Sequence, residues 1–138
     1  MTQSRSERNR PIIEEFRANG GRVGGQFADT PLLLLTTIGA KSGQKRVNPV
    51  AYLVDEDRLF VFAANAGRPT HPDWYHNLVA HPDVIVEVGT ERFTARAIVL
   101  EDSERDLLYA RQASLDTRFA EFQAKTERTI PVVALVRT

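Results

Sequence analysis

Apolar residues recur along the chain at two spacings, and each spacing predicts a type of element. Runs rich in leucine and in β-branched or aromatic residues predict strands at residues 32–38, 46–54, 58–64, 83–88, 91–100 and 131–136. Helical spacing, together with proline and capping residues, predicts helices at 11–19, 72–80, 102–112 and 115–125. The strands are mostly joined as hairpins. This order predicts an α+β domain built on an antiparallel sheet that closes into a small barrel.

Composition narrows the class of protein. A chain of 138 residues with 42% hydrophobic and 26% charged residues predicts one globular domain, in which residues 1–30 form an N-terminal helix and a glycine-rich link. Eighteen basic and eighteen acidic side chains cancel, which argues against a nucleic-acid partner. The N-terminus is too polar for a signal peptide, and no apolar run could span a membrane, so a cytoplasmic location is predicted. Peripheral membrane contact through the basic first helix stays open as an alternative.

No metal site is predicted. Cysteine is absent, which removes thiolate ligands and cysteine nucleophiles. The three histidines, His71, His76 and His81, are five residues apart, so on a helix each would point about 140° away from the last. Surface or capping roles fit these histidines better than metal binding.

The connection between the first two predicted strands carries the clearest functional signal. Glycines let the backbone approach a ligand closely, and lysine and arginine supply the charge that a phosphate needs. A Walker A loop is excluded because Leu35 and Ala40 stand where that motif needs glycine, and a strand follows instead of a helix. We interpret the loop as an anion-binding site, with a plain solvated hairpin connection as the alternative. Its key residues are Lys41, Ser42, Gly43, Lys45 and Arg46.

Three stretches, in this order and spacing, resemble the deazaflavin-dependent nitroreductase family of actinobacterial oxidoreductases. They are LLLLTTIGAKSGQKRVNP at residues 32–49, FVFAANAGRPTHPDWYHNL at 60–78 and TERTIPVVAL at 126–135. The match covers the chain from about residue 16 to residue 136. The resemblance implies a split β-barrel of the FMN-binding, pyridoxamine-phosphate-oxidase-like type that binds coenzyme F420, a deazaflavin with a phosphodiester and an oligoglutamate tail.

The resemblance also implies where the cofactor would lie. The loop at residues 40–46 would hold the phosphate and tail, and residues 63–67 would lie against the deazaflavin ring. No catalytic side chain is assigned, and the substrate pocket is expected at Phe119 and Phe122. The expected cofactor-binding residues are Thr36, Ala40, Lys41, Ser42, Gly43, Gln44, Arg46, Pro49, Ala63, Ala64, Asn65, Ala66, Gly67, Trp74, Tyr75 and Asn77.

The implied reaction is hydride transfer from the reduced ring to an electron-poor acceptor: a quinone, an enone or a nitroaromatic. Family members that reduce nitro drugs have tyrosines on the late helix, where this chain has Asp116, Phe119 and Phe122. Loss of these phenol donors argues against nitroimidazole reduction and favours a planar apolar acceptor. Two alternatives stay open: an FMN-dependent reductase or oxidase on the same barrel, and a non-catalytic F420 carrier. The protein is expected to be a monomer or a homodimer.

Overall fold

The computed structural model describes residues 5–25 and 30–138, with side chains described from residue 9. The helices are α1 (Arg5–Ala18), α2 (Asp73–Ala80), α3 (Asp102–Leu115) and α4 (Arg118–Ala124). The strands are β1 (Leu32–Ile38), β2 (Lys45–Asp55), β3 (Arg58–Phe62), β4 (Asp83–Val88), β5 (Glu91–Val99) and β6 (Val132–Arg137). A short 3₁₀ turn, Asn65–Gly67, follows β3.

The six strands form a closed barrel in the order β1-β2-β3-β6-β5-β4, and every neighbouring pair is antiparallel. Pairing of β1 with β4, where Leu34 lies opposite Glu87, closes the circle. Closure pairs the backbone groups that an open sheet would leave exposed at its edges. The predicted α+β barrel is therefore confirmed.

Alternating side chains of the strands build two cores on the two sides of the barrel wall. Leu33, Val61 and Val133 belong to the first core, which is formed mainly by the strands. Phe60 and Phe62 belong to the second core, together with residues of helices α3 and α4. Because strand side chains alternate in direction, a single residue step in β3 moves a side chain from one core to the other.

The structure corrects three predicted element boundaries. Helix α1 starts at Arg5 and runs through Pro11, although a proline inside a helix removes one backbone hydrogen bond and crowds the carbonyl four residues earlier. Strand β3 ends at Phe62 instead of Ala64, and a 3₁₀ turn begins at Asn65. Of the glycine-rich link, residues 26–29 lie outside the described residues. The single-domain assignment of residues 1–138 stays a prediction.

The third correction concerns the late helices. One helix was predicted over residues 115–125, but Leu115 ends α3 and is 71% exposed, and α4 begins only at Arg118. The Asp116 carboxylate accepts a hydrogen bond from the backbone N–H of Arg118 at 3.1 Å, so a new helix begins there.

None of the described helices has the length and apolar composition needed to span a bilayer. The predicted cytoplasmic location stays a prediction.

Helix α1 is attached to the β4–β5 turn at a glycine that has no room for a side chain. Gly21 has φ +96°, and a Cβ there would lie 2.6 Å from the Cα of Gly89. Gly25 also has positive φ, at +61°, but a Cβ there would meet nothing within 4 Å. We therefore expect Gly21→Ala to lower the free energy of unfolding by about 1–3 kcal/mol more than Gly25→Ala does. Urea denaturation of both variants measures this difference, and equal losses would contradict the described packing.

Candidate functional site

The loop between β1 and β2, residues 39–44, is closed by its own hydrogen bonds. The N–H of Gly39 donates to Gln44 O at 2.7 Å, and the N–H of Gly43 donates to Gly39 O at 2.9 Å. Gly43 has φ +72°, a conformation that favours glycine. The backbone N–H groups of Lys41 and Ser42 have no acceptor among the described residues. The loop thus presents donors to a ligand and is already folded to do so.

A buried amide fixes this loop to helix α2. Asn77 Oδ1 accepts the N–H of Ala40 at 3.0 Å, and Asn77 Nδ2 donates to Thr37 Oγ1 at 3.2 Å. Both Asn77 and Thr37 are buried. The amide therefore sets the distance between the loop and the helix, since buried polar groups are costly to leave unpaired.

A cleft of about 650 Å³ lies between the loop and α2, and we call it the basic-loop cleft. Neither Lys41 nor Arg46 forms an ion pair with any carboxylate of the described chain. Trp74 contributes an aromatic wall. The arrangement is suited to an anion joined to a planar group. The lining residues are Gly39, Ala40, Lys41, Ser42, Arg46, Val47, Asn48, Asp73, Trp74, His76 and Asn77.

The cleft brings together part of the predicted cofactor site. Six predicted residues line it: Ala40, Lys41, Ser42, Arg46, Trp74 and Asn77. Thr36 instead lines a cavity of about 310 Å³, and Tyr75 lines another of about 390 Å³. Gly43, Gln44, Pro49 and residues 63–67 do not line the basic-loop cleft, and their role as cofactor-binding residues stays a prediction.

Sequence reasoning missed three polar residues of the cleft. Asp73 and His76 lie four and one residues before Asn77 on α2, and Asn48 lies two residues after Arg46 on β2. Helical and strand periodicity could have indicated Asp73 and Asn48, because each shares a face with a predicted site residue. For His76 the sequence gave no signal beyond the spacing of the histidines, which argued against metal binding. In the described part of the chain no three potential metal ligands come together.

The turn after β3 has an unusual backbone. We call residues 63–68 the left-handed turn, because Asn65, Ala66 and Gly67 have φ values of +50°, +55° and +79°. Such conformations cost of order 1–3 kcal/mol for a residue with a Cβ, so the surroundings must impose them. On one side a Cβ at Gly67 would lie 2.9 Å from Phe122 O, which shows how closely α4 packs.

Arg128 contacts the left-handed turn from another side. Its guanidinium donates to Ala63 O at 3.2 Å, to Ala64 O at 2.8 Å and to Arg68 O at 3.0 Å. Arg128 is half-buried and forms no ion pair with a described carboxylate. Burial lowers the pKa of this guanidinium from its usual value. Its hydrogen bonds to carbonyl oxygens are what compensate for the lost hydration.

His71 links this arginine to helix α2. Its Nδ1 lies 2.8 Å from the Arg128 guanidinium, which can only donate, so Nδ1 accepts and the ring carries its proton on Nε2. Burial lowers the pKa of His71, and the charges of Arg128 and His76 lower it further. The His71 ring also lies 5.7 Å from the His76 ring, which lines the basic-loop cleft. The left-handed turn and the cleft are thereby connected through side chains.

The expected substrate residues lie in the second core. Phe119 is buried, and its ring lies 5.6 Å from the Phe62 ring and 5.3 Å from the Phe122 ring. Tyr109 donates its hydroxyl to Phe119 O at 2.6 Å, and burial raises the pKa of Tyr109 to about 12. Phe119 and Phe122 do not line the basic-loop cleft, and their role in a substrate pocket stays a prediction.

Asp116 lines a separate cleft of about 500 Å³, where Arg118 holds the pKa of the Asp116 carboxyl below the usual range.

Comparison with known proteins assigns the chain to a family. The sequence profile described as F420H(2)-dependent quinone reductase matches residues 8–137. The chain therefore belongs to the F420H(2)-dependent quinone reductase family. This family is one of oxidoreductases with coenzyme F420 as the cofactor, which confirms the predicted enzyme class, cofactor and deazaflavin-reductase resemblance.

Individual relatives agree with the family. An F420H(2)-dependent quinone reductase of Mycobacterium tuberculosis strain H37Rv is 38% identical over 128 residues, which cover 88% of this chain and 85% of the relative. A solved F420-H2 dependent reductase is 37% identical, with a TM-score of 0.70, over 76% of this chain and 93% of that one. A structure described as a domain-swapped dimer is 34% identical, with a TM-score of 0.72, over 96% of this chain and 99% of that one.

The likeness to pyridoxamine-phosphate-oxidase folds concerns the fold alone. A structure described as a putative pyridoxamine 5'-phosphate oxidase from Listeria innocua is 13% identical, with a TM-score of 0.56, over 97% of this chain and 94% of that one. The predicted split-barrel class is confirmed by this likeness and by the closer reductase structure.

The Asn77 amide gives a testable prediction about the cleft. Asn77→Leu leaves the Ala40 N–H and the Thr37 hydroxyl unpaired, so the free energy of unfolding should fall by about 1–3 kcal/mol. Amide hydrogen exchange at Ala40 should become faster at the same time. Asn48→Leu is the matched control, because Asn48 lines the same cleft without a side-chain hydrogen bond to another described residue. Equal effects of the two substitutions would show that Asn77 does not fix the loop.

Proposed function

We propose that this protein transfers a hydride from reduced coenzyme F420 to a quinone. The observation that carries the proposal is the basic-loop cleft, whose cations Lys41 and Arg46 have no carboxylate partner among the described residues. Membership of the quinone reductase family agrees with it. When bound, the cofactor supplies the hydride chemistry, and the protein supplies position and exclusion of water.

The cleft residues fit the phosphate and acidic tail of such a cofactor. The Lys41 and Arg46 side chains carry charge-assisted donors, and the N–H groups of Lys41 and Ser42 add backbone donors beside them. Asp73 is the one acidic residue in the described lining, and it would direct an acidic tail towards the cationic side. Trp74 would shield the planar part of the cofactor from water, and Asn77 would keep the loop in place.

We place the ring at the left-handed turn. Ala63 and Ala64 are buried, but Ala66 is exposed and its side chain is a single methyl group, so a flat ring could approach the turn closely there. Helix α4 packs against the same turn, since Phe122 O lies close to Gly67. An acceptor bound beside the ring would therefore lie near helix α4, which carries half-buried Phe122 and buried Phe119. A planar quinone suits that surface better than a polar substrate.

The proposed reaction needs no reactant beyond reduced F420 and the quinone, because the hydride and the proton that the quinone gains equal those that the reduced cofactor loses. The quinone gains a hydride and one proton and becomes the hydroquinone, while the cofactor returns to its oxidised form. Enones and nitroaromatics are further proposed acceptors of the same class. The late helix presents Phe119 and Phe122 in place of phenol donors, so we expect nitroaromatics to react more slowly than quinones.

Two other functions remain to be tested against this one. The first is an FMN-dependent enzyme, which the pyridoxamine-phosphate-oxidase-like fold permits. The second is a carrier that binds F420 without turnover. For assembly we keep both the monomer and the homodimer as proposals. The relative described as a domain-swapped dimer supports the second.

Binding and turnover assays separate these functions. We expect purified protein to bind F420 more tightly than FMN, and to oxidise reduced F420 when a naphthoquinone is added. Ligand fluorescence measures the first property, and absorbance of the oxidised cofactor measures the second. Preference for FMN would favour the oxidase-like alternative. Tight F420 binding with no turnover of a quinone or an enone would favour the carrier.

Charge removal in the cleft gives a sharper prediction. Lys41→Ala should weaken F420 binding about tenfold at low salt, because it removes a charge-assisted contact to the phosphate or tail. The difference should shrink at high salt and with a cofactor analogue that lacks the tail. Lys45→Ala is the matched control, since Lys45 lies in the same hairpin but lines a different cavity. A loss that does not depend on salt would indicate that Lys41 has a structural role.

A further inference from the structure

The sequence of the left-handed turn explains only part of its backbone. Asparagine and glycine adopt the left-handed region more readily than other residues, and Asn65 Nδ2 donates to Thr70 O at 3.0 Å, but alanine at position 66 has no such preference. Asn65 and Ala66 are successive residues with a Cβ in the left-handed region, and neither is glycine. The N–H of Gly67 donates to Ala64 O, and the N–H of Arg68 donates to Asn65 O, but such local bonds also form in ordinary turns. A contact from elsewhere in the chain must therefore favour this conformation over its competitors.

We propose that Arg128 is the positioning residue that holds the left-handed turn in its binding conformation and joins it, through His71, to the helix that borders the basic-loop cleft. The proposal rests on the proposed function, because it takes the left-handed turn as the place where the deazaflavin ring binds. Arg128 does not itself touch the cofactor in this proposal. It acts through the backbone of residues 63–68.

The geometry requires an arginine. Three carbonyl oxygens and the Nδ1 atom of His71 converge on the Arg128 guanidinium, at distances of 2.8–3.2 Å. A guanidinium presents five N–H donors in one plane, spread over three nitrogens. A lysine ammonium presents its three donors from a single nitrogen, so it could not reach all four acceptors at once. Arg128→Lys therefore keeps the positive charge but loses the simultaneous hydrogen bonds to the four acceptors.

The backbone around Arg128 is also fixed by hydrogen bonds. Gln123 Nε2 donates to Arg128 O at 2.8 Å, and Gln123 Oε1 accepts the N–H of Ile130 at 3.1 Å. Arg105 donates to Ile130 O at 2.9 Å and to Gln123 Oε1 at 2.6 Å. Helices α3 and α4 thus hold the backbone from residue 128 to residue 130. The guanidinium is oriented before any ligand arrives, as a positioning residue should be.

The contacts of Arg128 also differ from those of an arginine in an ordinary surface ion pair. Arg128 has no carboxylate partner among the described residues, and its side-chain hydrogen bonds are made to the turn and to His71. By drawing the carbonyl oxygens of Ala63 and Ala64 towards itself, it leaves exposed Ala66 available to a ligand. His71 belongs to the segment that starts α2, so one side chain sets both parts of the proposed site.

The test uses the full-length protein without and with F420. We expect Arg128→Lys to speed amide hydrogen exchange at Gly67 and Arg68 about tenfold in the cofactor-free protein. The same substitution should weaken F420 binding about tenfold, because only about one tenth of the molecules would then hold the turn in its binding conformation. Arg58→Lys is the control, since Arg58 pairs with Glu104 and touches neither the turn nor the cleft. Millimolar guanidinium should restore part of the F420 affinity of Arg128→Ala but not that of Lys41→Ala.

Each outcome decides the proposal. Unchanged exchange in Arg128→Lys would overturn it, as would faster exchange with unchanged F420 affinity. If Arg128→Lys does not fold, His71→Leu removes one of the four contacts and should give a smaller change in the same direction, about threefold. No change in that variant would also overturn the proposal. Failure of the unmodified protein to bind F420 would instead refute the proposed function, while the exchange measurement would still show whether Arg128 holds the turn.

Discussion

Closure of the six-stranded barrel is the constraint on which the other features depend. Pairing of β1 with β4 completes the circle, and it buries most of β1 within the wall. A closed wall gives two surfaces for alternate side chains, and these become the strand core and the helix-covered core. The loops that leave the wall are therefore held at both ends by fixed strands, which lets short loops carry defined geometry.

The candidate site is built from two such connections that are distant in sequence. The loop between β1 and β2 provides positive charge and backbone donors, and the connection after β3 provides a close-packed turn with small side chains. Helix α2 follows both of them in sequence. Its Asn77 bonds the first loop, and His71, two residues before the helix begins, bonds Arg128, which in turn holds the second. The cleft and the turn therefore belong to one continuous set of contacts, although one follows β1 and the other follows β3.

The late helices acquire a second role in this arrangement. Phe119 packs in the second core, and α3 and α4 together support the segment that carries Arg128. Side chains that face the barrel can thus influence the site without lining the basic-loop cleft. This is a general consequence of close packing, because a buried helix transmits its position to the loops that leave it.

Local sequence determined the strands, most helix positions and the charge of the first loop. Alternating apolar residues and glycine-flanked lysines are patterns of a few neighbouring residues, so they can be recognised without knowing the fold. The motif resemblance added the family and its cofactor. Tertiary structure alone decided the contacts that complete the site. Asn77 meets Ala40 across 37 residues, and Arg128 meets Ala64 across 64. It also ended α3 at Leu115 and began α4 at Arg118, where helical spacing had predicted a single helix. These contacts depend on where backbone oxygens and amides lie once the barrel has closed, and no local pattern of residues encodes those positions.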